Sequence, residues 1–531
     1  MPAVLVAVGL GTGASASASA PVASSAVAQS GGRAQLLVAL APGARAAAFP
    51  GARLVSRSLG IYRVPAPAGA DPRAAARRLS RRPDVLAAQP DWVLRESQEV
   101  VACRPRPQNP LGYQLPALGD ELIQQPATTG PIAVLDGGLD TTLPEFAGRV
   151  VSPVNVLVGG SDVTDVDGHG TSVASVAAAR PGGITGVSSN SPIMPVKMAD
   201  PQGATSVAGF IKGLDAAVAA HASVINISAG APVGESSDRE DHVAIMAVDR
   251  AFASGAILVA AAGNEGSSDP DVPSAYPHVL SVAATNDVDL PASFSNTGPS
   301  IDVAAPGVGI LALVPAALCA SEVAIVDGTS FSAPAVSGAA AIVRQQRPTL
   351  TPAQLFELLR SSARDVGPKG RDAQTGFGVV NVASALAAKA PADEPGELDD
   401  DVYWVRGRYA ANHPFQLSHR RRSRTIRDRL GVFNDPIDVF RLKLRKGDTL
   451  VAQLRGARGT RFGLAMFNAR TGPFDISQGR TRHRSDASDH RGPGELMRDR
   501  ISRSGTYYLS VLAVRRDPPG GTTYTLRLKR R

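Results

Sequence analysis

Residues 130–138 read GPIAVLDGG, a continuous apolar run that ends in an acidic residue and two glycines. Because polar and apolar positions do not alternate, the run predicts a strand that is buried on both faces. Five later runs share this character: SPIMPVKMA (191–199), ASVINISAG (222–230), AILVAAAGN (256–264), HVLSVAAT (278–285) and SIDVAAPG (300–307). Segments rich in small residues separate the runs and predict helices. The alternation predicts an α/β fold, a mostly parallel sheet with helices on both faces.

Polar residues interrupt these runs where the strands are expected to end. Asp136, Asn264 and the turn Ser228-Ala229-Gly230 are at such positions. Sites in open parallel sheets lie beyond the carboxyl ends of the strands. We therefore expect the functional site at this edge of the sheet.

Four residues are candidates for chemistry, and each also has an ordinary structural explanation. Asp136 would be costly to bury without a bonded partner, but an Asp can also cap a turn. His169 precedes a helix of small residues, Asn264 occupies a turn after a buried strand, and Ser330 opens a helix. A Ser in that place is either an N-cap or a nucleophile beside free helix N–H groups.

Taken together, these residues supply an acid, a base, a nucleophile and a hydrogen-bond donor for an oxyanion. Their chain order is Asp, His, Ser, which differs from the orders of the chymotrypsin-like enzymes and the α/β-hydrolases. No G-x-S-x-G motif surrounds Ser330, which argues against a lipase or esterase.

Residues 131–390 resemble the subtilisin-like serine peptidases, the subtilases. The resemblance is carried by AVLDGGLD, DGHGTSVAS, GVSSNSPIMPVKM, VINISAG, AAAGNEGS, YPHVLSVAAT, ASFSNTGPSIDVAAPG, DGTSFSAPAVSGAAA and GFGVVNVASAL. It implies a secreted serine endopeptidase that forms an acyl-enzyme on Ser330, with His169 as general base, Asp136 orienting it and Asn264 in the oxyanion hole. Protein or peptide substrates are the implied partners.

The same resemblance implies two substrate-binding segments. Ser228, Ala229 and Gly230 are expected to pair with an extended peptide by strand addition. Ala261, Ala262 and Gly263 are expected to frame the pocket for the residue before the cut bond. Glu265 at the rim suggests a preference for a basic residue there.

Some positions depart from the family pattern. Gly137-Gly138 follows the acid where the family usually has Ser or Thr and then Gly, and Ala335 replaces a usual His. The segment ARPGGITGVSS after the His169 helix is short, so the calcium-binding loop of some relatives is not expected. We therefore expect no metal site and no cofactor.

The 531 residues are too many for one ordinary domain. The predicted divisions are a signal peptide (1–28), a propeptide inhibitor and chaperone domain (34–97), the peptidase domain (108–390), a linker (391–401) and a C-terminal β domain (402–531). Residues 85–95 are expected to close the small α+β propeptide as a strand. Autocleavage is expected at roughly 96–110, a polar, Pro-rich stretch.

The C-terminal region resembles the β-sandwich of the pre-peptidase C-terminal type, and residues 475–500 are expected to form a long exposed loop within it. Its basic surface suits an anionic cell-surface polymer, or it is simply solvated. The alternative for the whole protein is a secreted binding or adhesion protein that uses this domain, with the peptidase fold as a scaffold.

The net charge of +8 is the sum over three regions that differ in the sign of their charge. Residues 30–97 carry +7, residues 98–397 carry −15 and residues 398–531 carry +16. A basic leader and an acidic middle favour docking of the leader as a partner of the peptidase. A nucleic-acid-binding protein would not need the acidic middle, so no nucleic acid is expected, and we expect a monomer.

Cys103 and Cys319 are either one disulfide or two unrelated thiols.

Overall fold

The structure is a computed structural model, and it describes residues 27–96, 102–107, 112–119, 130–232, 241–391, 405, 414–430, 437–456, 461–468, 470–471, 484–488, 494–513 and 522–531. Residues 1–26 of the predicted signal peptide lie outside the described residues. So do most of the predicted linker at 391–401 and much of the predicted cleavage zone.

The N-terminal unit, residues 27–90, is an antiparallel sheet with one helix. Its strands are β1 (Gln29–Ser30), β2 (Arg33–Leu40), β3 (Arg53–Ser56), β4 (Ile61–Pro65) and β5 (Val85–Pro90). They run in the order β1-β2-β4-β3, and β5 pairs with β2. Helix α1 (Pro72–Leu79) begins after Asp71, whose carboxylate accepts a hydrogen bond from the Ala74 N–H at 2.8 Å. This N-cap and the Pro at the first helical position explain why the helix starts there.

The central region carries most of the regular structure. Its strands are β6 (Val93–Glu96), β7 (Ala102–Cys103), β8 (Ile132–Asp136), β9 (Val154–Asn155), β10 (Ile193–Lys197), β11 (Ala204–Ser206), β12 (Val224–Ile227), β13 (Ala229–Pro232), β14 (Ile257–Ala261), β15 (Asp271–Val272), β16 (Val279–Thr285), β17 (Val303–Pro306), β18 (Ile310–Leu313) and β19 (Val323–Val326). Its helices are α2 (Gln114–Ala117), α3 (His169–Ala178), α4 (Val207–Ala219), α5 (His242–Ala253), α6 (Thr329–Gln346), α7 (Pro352–Ser361) and α8 (Val382–Ala387).

Within the described ranges, seven of these strands form one parallel sheet in the order β17-β16-β14-β12-β8-β10-β9. All six predicted apolar runs are strands of this sheet. Successive residues of β8 enter two different hydrophobic clusters, Ile132 and Val134 on one face, Ala133 and Leu135 on the other. Helices α3 and α6 cover the first face, and α4 and α5 cover the second. The predicted α/β fold is therefore confirmed.

One segment behaves differently from the expectation. Residues 85–95 are not a single strand that closes the N-terminal unit, because the chain breaks at Asp91 and Trp92. Only β5 belongs to that unit, whereas β6 pairs antiparallel with β11 and β13 of the central region. Asp91 causes the break by turning inward, since its carboxylate accepts a hydrogen bond from the Ala208 N–H at the start of α4.

The C-terminal region is a sandwich of two antiparallel sheets, as predicted. Its strands are β20 (Ser423–Leu430), β21 (Ile437–Leu444), β22 (Thr449–Gly456), β23 (Phe462–Asn468), β24 (Arg484–Ser488), β25 (Gly494–Arg500), β26 (Gly505–Ala513) and β27 (Thr522–Arg530). One sheet runs β20-β27-β22-β25 and the other β21-β26-β23-β24. Residues of both sheets share one core.

The expectation of a long loop over residues 475–500 is wrong for its described part. Residues 484–488 and 494–500 are strands. In β25 the buried residues Glu495 and Met497 alternate with exposed neighbours. This period of two marks a half-buried strand, and the many Arg and Asp residues of the segment conceal it.

The remaining features concern connections between regions. Cys103 and Cys319 form a disulfide with a Cα–Cα distance of 5.7 Å. Arg429 of the sandwich lies 3.3 Å from Glu357 of α7. None of the described helices is both long and apolar enough to span a membrane.

Candidate active site

Asp136 and His169 form the centre of the site. Asp136 is the last residue of β8 and is fully buried. Its Oδ1 accepts hydrogen bonds from Nδ1 of His169 at 2.8 Å and from the Gly137 N–H at 2.9 Å. His169 begins α3, and Gly168 before it has φ +85°, a left-handed conformation that favours glycine. In the neutral imidazole, this hydrogen bond places the proton on Nδ1 and leaves Nε2 as the acceptor.

Ser330 is the second residue of α6, and its side chain lies among buried groups. It is 2% exposed, and its Oγ is 3.5 Å from the carbonyl oxygen of Ser228. The next residue, Phe331, has its ring centroid 5.9 Å from that of His169. Nε2 of His169 has no hydrogen-bond partner among the described atoms. The structure therefore brings Ser330 to the same end of the sheet as the Asp136–His169 pair.

Asn264 is held in one orientation by Thr329. Its Oδ1 accepts hydrogen bonds from the Thr329 N–H at 2.9 Å and from the Thr329 hydroxyl at 2.8 Å. The same hydroxyl accepts from the Gly263 N–H at 3.2 Å. These two bonds fix which end of the amide is the acceptor, so the NH₂ group is the donor end of the Asn264 side chain. Sequence reasoning missed Thr329, although it directly precedes Ser330.

Ser228, Ala229 and Gly230 lie beside Ser330, and the Ser228 hydroxyl donates to the Ser330 carbonyl at 2.9 Å. The predicted turn is wrong in detail, because Ala229 begins strand β13. Its partner is β6 of this same chain, in the register Ala229↔Glu96 and Gly230↔Arg95. The strand edge predicted to bind an extended peptide is thus paired with residues 95–96.

Ala261, Ala262 and Gly263 come at the end of β14, next to Asn264. The Ala262 N–H bonds the Val282 carbonyl at 3.0 Å, which fixes the segment to the sheet. Gly263 has φ +107° and is tightly surrounded by polar side chains, including Asp271. Asp271 belongs to β15, which pairs with β13, and sequence reasoning did not single it out.

Glu96 adds a further carboxyl group to the site. It is buried, and its Oε2 lies 3.8 Å from Nδ1 of His169. Burial, followed by the charges of Asp136 and Asp167, raises the pKa of Glu96 well above its usual value, and His169 opposes this. Burial also raises the pKa of Asp167, to about 6.

The same groups act on His169. Burial lowers the pKa of its imidazole, but the charges of Asp136, Glu96 and Asp167 and the hydrogen bond to Asp136 more than compensate and raise it to about 10. Glu96, Asp136 and His169 also have ligand atoms within 4.8 Å of one another and could hold a metal ion. Such an ion would compete with the Asp136–His169 hydrogen bond.

Comparison with known proteins places this arrangement in a family. The model of the Subtilase family matches residues 130–378, which contain all of the predicted catalytic and substrate-binding residues. Subtilisin of Bacillus pumilus is 35% identical over 265 residues, 48% of this chain and 90% of that protein. The chain belongs to the subtilase family.

Two other subtilases are similar to the chain over about the same length. Subtilisin DY of Bacillus licheniformis is 32% identical over 282 residues, which are 51% of this chain and 97% of that protein. Subtilisin E of Bacillus subtilis (strain 168) is 35% identical over 265 residues, 48% of this chain and 65% of that protein. The protein is therefore a subtilisin-like serine endopeptidase, and proteins or peptides are its substrates.

Proposed function

We propose that this subtilase cleaves peptide bonds through Ser330, His169 and Asp136, and that it is made as a secreted, self-processing zymogen. The observation that carries the catalytic part is the 2.8 Å hydrogen bond from His169 to Asp136, with the ring of Phe331, the residue after Ser330, 5.9 Å from the imidazole. The mechanism follows from this geometry.

Nε2 of His169 takes the proton of the Ser330 hydroxyl as Oγ attacks the substrate carbonyl carbon. Asp136 stabilises the imidazolium ion that forms. The negative charge moves to the carbonyl oxygen, where the Asn264 NH₂ and the Ser330 N–H in the first turn of α6 donate to it. His169 then gives its proton to the leaving amine, and water releases the acyl group from Ser330 by the same steps.

Self-processing is supported by the two described segments that precede and follow residues 97–101. Strand β6 ends at Glu96, paired with β13 beside Ser228. Strand β7, at Ala102–Cys103, pairs with β19, which leads into α6 and Ser330. The described segments before and after residues 97–101 thus each pair with a strand next to site residues, which supports autocleavage within the predicted stretch of roughly 96–110.

The docking of the N-terminal unit supports its role as an inhibitor and folding partner. Oε1 of Gln89 accepts hydrogen bonds from the Val243 and Ala244 N–H groups at the start of α5, at 2.8 and 3.0 Å. Asp91 does the same for α4 through the Ala208 N–H at 2.9 Å. Gln89 of the unit and Asp91 directly after it thus cap two helices of the peptidase, which would otherwise expose free N–H groups and a positive dipole end.

Secretion is supported by the Cys103–Cys319 disulfide, because such bonds persist in oxidising compartments. If the cut lies before Cys103, this disulfide would keep the new N-terminal segment on the peptidase. The predicted signal peptide at 1–28 fits this proposal.

The test is labelling of the full chain, expressed with its leader, by a fluorophosphonate probe. The expected result is an adduct on the wild type that is absent from Ser330→Ala, together with shortening of the wild-type chain by about its first 100 residues. Ser337→Ala, a buried hydroxyl of the same helix, is the matched control and should still be labelled. A folded, leader-free wild type without an adduct would reject the catalytic role of Ser330.

A further inference from the structure

The predicted pocket contains a buried carboxyl group that no described residue neutralises. Asp271 is 5% exposed, and its Oδ1 has no hydrogen-bond partner among the described atoms. No Lys or Arg of the described residues forms an ion pair with it. An isolated buried carboxylate is costly, so a site of this kind favours a ligand that supplies the missing positive charge or donors.

Two glycines leave this carboxyl group uncovered on the pocket side. A Cβ atom added to Gly263 would lie 2.6 Å from Oδ2 of Asp271, and one added to Gly230 would lie 3.4 Å from it. Gly230 and Gly263 belong to the two segments expected to frame the pocket. The carboxyl group of Asp271 therefore lies between these segments, where any larger residue at position 263 would cover it.

A second carboxyl group lies at the rim. A Cβ atom on Gly263 would be 2.8 Å from Oε2 of Glu265, an exposed residue that accepts a hydrogen bond from Nδ2 of Asn296 at 2.8 Å. Burial, and then the charge of Glu265, raises the pKa of Asp271 to about 8. A cation between the two carboxyl groups would remove this mutual repulsion.

We infer that Asp271, at the base of the pocket, selects substrates with Arg or Lys immediately before the cut bond, with Glu265 as a second contact at the rim. This specificity rests on the proposed catalytic function. A guanidinium or ammonium group would bring its own charge and N–H donors to Asp271, whereas a neutral side chain would leave that carboxyl group buried and unpaired.

The experiment compares peptides that are identical except for Arg, Lys, citrulline, Leu or Glu before the cut bond. Active full-chain enzyme is first counted by fluorophosphonate labelling. Citrulline has nearly the shape of Arg without its charge, so the Arg-to-citrulline ratio of kcat/KM isolates the charge. We expect a ratio of about 10 to 100 for the wild type, from the usual strength of a hydrogen bond to a charged group. Lys should also exceed Leu, and Glu should be the poorest substrate.

Asp271→Asn should lower the Arg-to-citrulline ratio to near one, and Glu265→Gln should lower it partly. Asp269→Asn removes an exposed charge two residues away and is the matched control, with a ratio unchanged from the wild type. A labelled wild type with a ratio near one would overturn the inference and leave the proposed function intact, without any variant needing to fold. Absence of labelling would reject the proposed function and this inference with it.

Discussion

Thr329 decides how Asn264 is presented to a substrate. Its N–H and hydroxyl both donate to Oδ1 of Asn264, and its hydroxyl also accepts from the Gly263 N–H. Thr329 is fully buried and has no place in the proton transfers. In the proposed mechanism it is therefore a positioning residue, which would act on the reaction through the orientation of the Asn264 amide.

Thr329→Val keeps the shape of the side chain and removes the hydroxyl. We expect kcat to fall about fivefold with little change in KM, because one hydrogen bond of about 1 kcal/mol no longer orients the proposed oxyanion donor. Steady-state kinetics on one peptide substrate, with active enzyme counted by labelling, measure this split.

The conservative variant is the control for that prediction. Thr329→Ser retains the hydroxyl and should restore most of kcat. If Thr329→Val changed only KM, or if Thr329→Ser were equally impaired, Thr329 would be a packing residue and not a positioning one.

At the scale of elements, the site depends on close packing of α3 against α6. A Cβ atom on Gly338 of α6 would lie 2.6 Å from Cβ of Val187 and 2.8 Å from the Ala177 carbonyl oxygen of α3. These two helices carry His169 and Ser330, so the small residues between them set the distance between the proposed general base and the proposed nucleophile. The abundance of Ala and Gly in these helices has this physical reason.

Gly338→Ala should lower the free energy of unfolding by about 1–2 kcal/mol. Ala gains about 1 kcal/mol of helix propensity over Gly, but an extra methyl group forced into a packed core costs up to about 3 kcal/mol. Urea unfolding in a Ser330→Ala background, which prevents self-digestion, measures the change.

Gly505→Ala is the matched control for this packing argument. A Cβ atom there meets nothing within 4 Å, so the free energy of unfolding should stay within about 0.5 kcal/mol of the parent. A stabilised Gly338→Ala would mean that the two helices can move apart freely and that their spacing is not fixed by position 338.

The elements also explain what could and could not be predicted from the sequence. Asp136, Asn264 and Ser330 each end or begin a strongly apolar or small-residue segment, so local pattern alone found them. Asp271 lies in a two-residue strand and Glu96 in a four-residue strand. Both strands pair with β13, and nothing in the neighbouring sequence predicts this tertiary contact. The break at Asp91 was missed for the same reason, because its partner in α4 is 117 residues away.

At the scale of the whole molecule, the N-terminal unit and residues 91–96 that follow it are held on the peptidase by polar groups as well as by apolar ones. Gln89 and Asp91 cap α5 and α4, and Nε1 of Trp92 donates to Asp241 at 3.1 Å. The opposite net charges of the leader and the middle of the chain favour their association. Glu96 is an exception to this charge complementarity, because its carboxyl group lies near those of Asp136 and Asp167.

Glu96 makes this docking sensitive to pH. Among the residues that the structure describes, Asp136 on β8 and Asp167 before α3 repel a negative charge on Glu96, and the cation of His169 opposes them. Lys197 is nearby but donates to the carbonyl oxygens of Gly137 and Thr164. Docking is therefore strongest below the ordinary Glu pKa of about 4.3. At such a pH Glu96 is protonated in the docked state and in the undocked state alike. It weakens as the pH rises through the raised pKa of the docked state.

Release of the N-terminal unit should accordingly be faster at higher pH. The measurement is the time course of fluorophosphonate labelling of the full chain, held at a series of pH values and then assayed at one common pH. Holding and assay are separated because protonation of His169 alters the labelling reaction itself. We expect labelling to appear progressively sooner as the holding pH rises.

Glu96→Gln is the control that separates the titration of Glu96 from the titration of other groups in the molecule. It keeps the size of the side chain and removes its titration, so most of the pH dependence of release should disappear. Asp91, whose pKa burial also raises, should leave a smaller residual dependence of the same sign. If Glu96→Gln released its N-terminal unit with the same pH profile as the wild type, the carboxyl group at position 96 would not be what couples docking to pH.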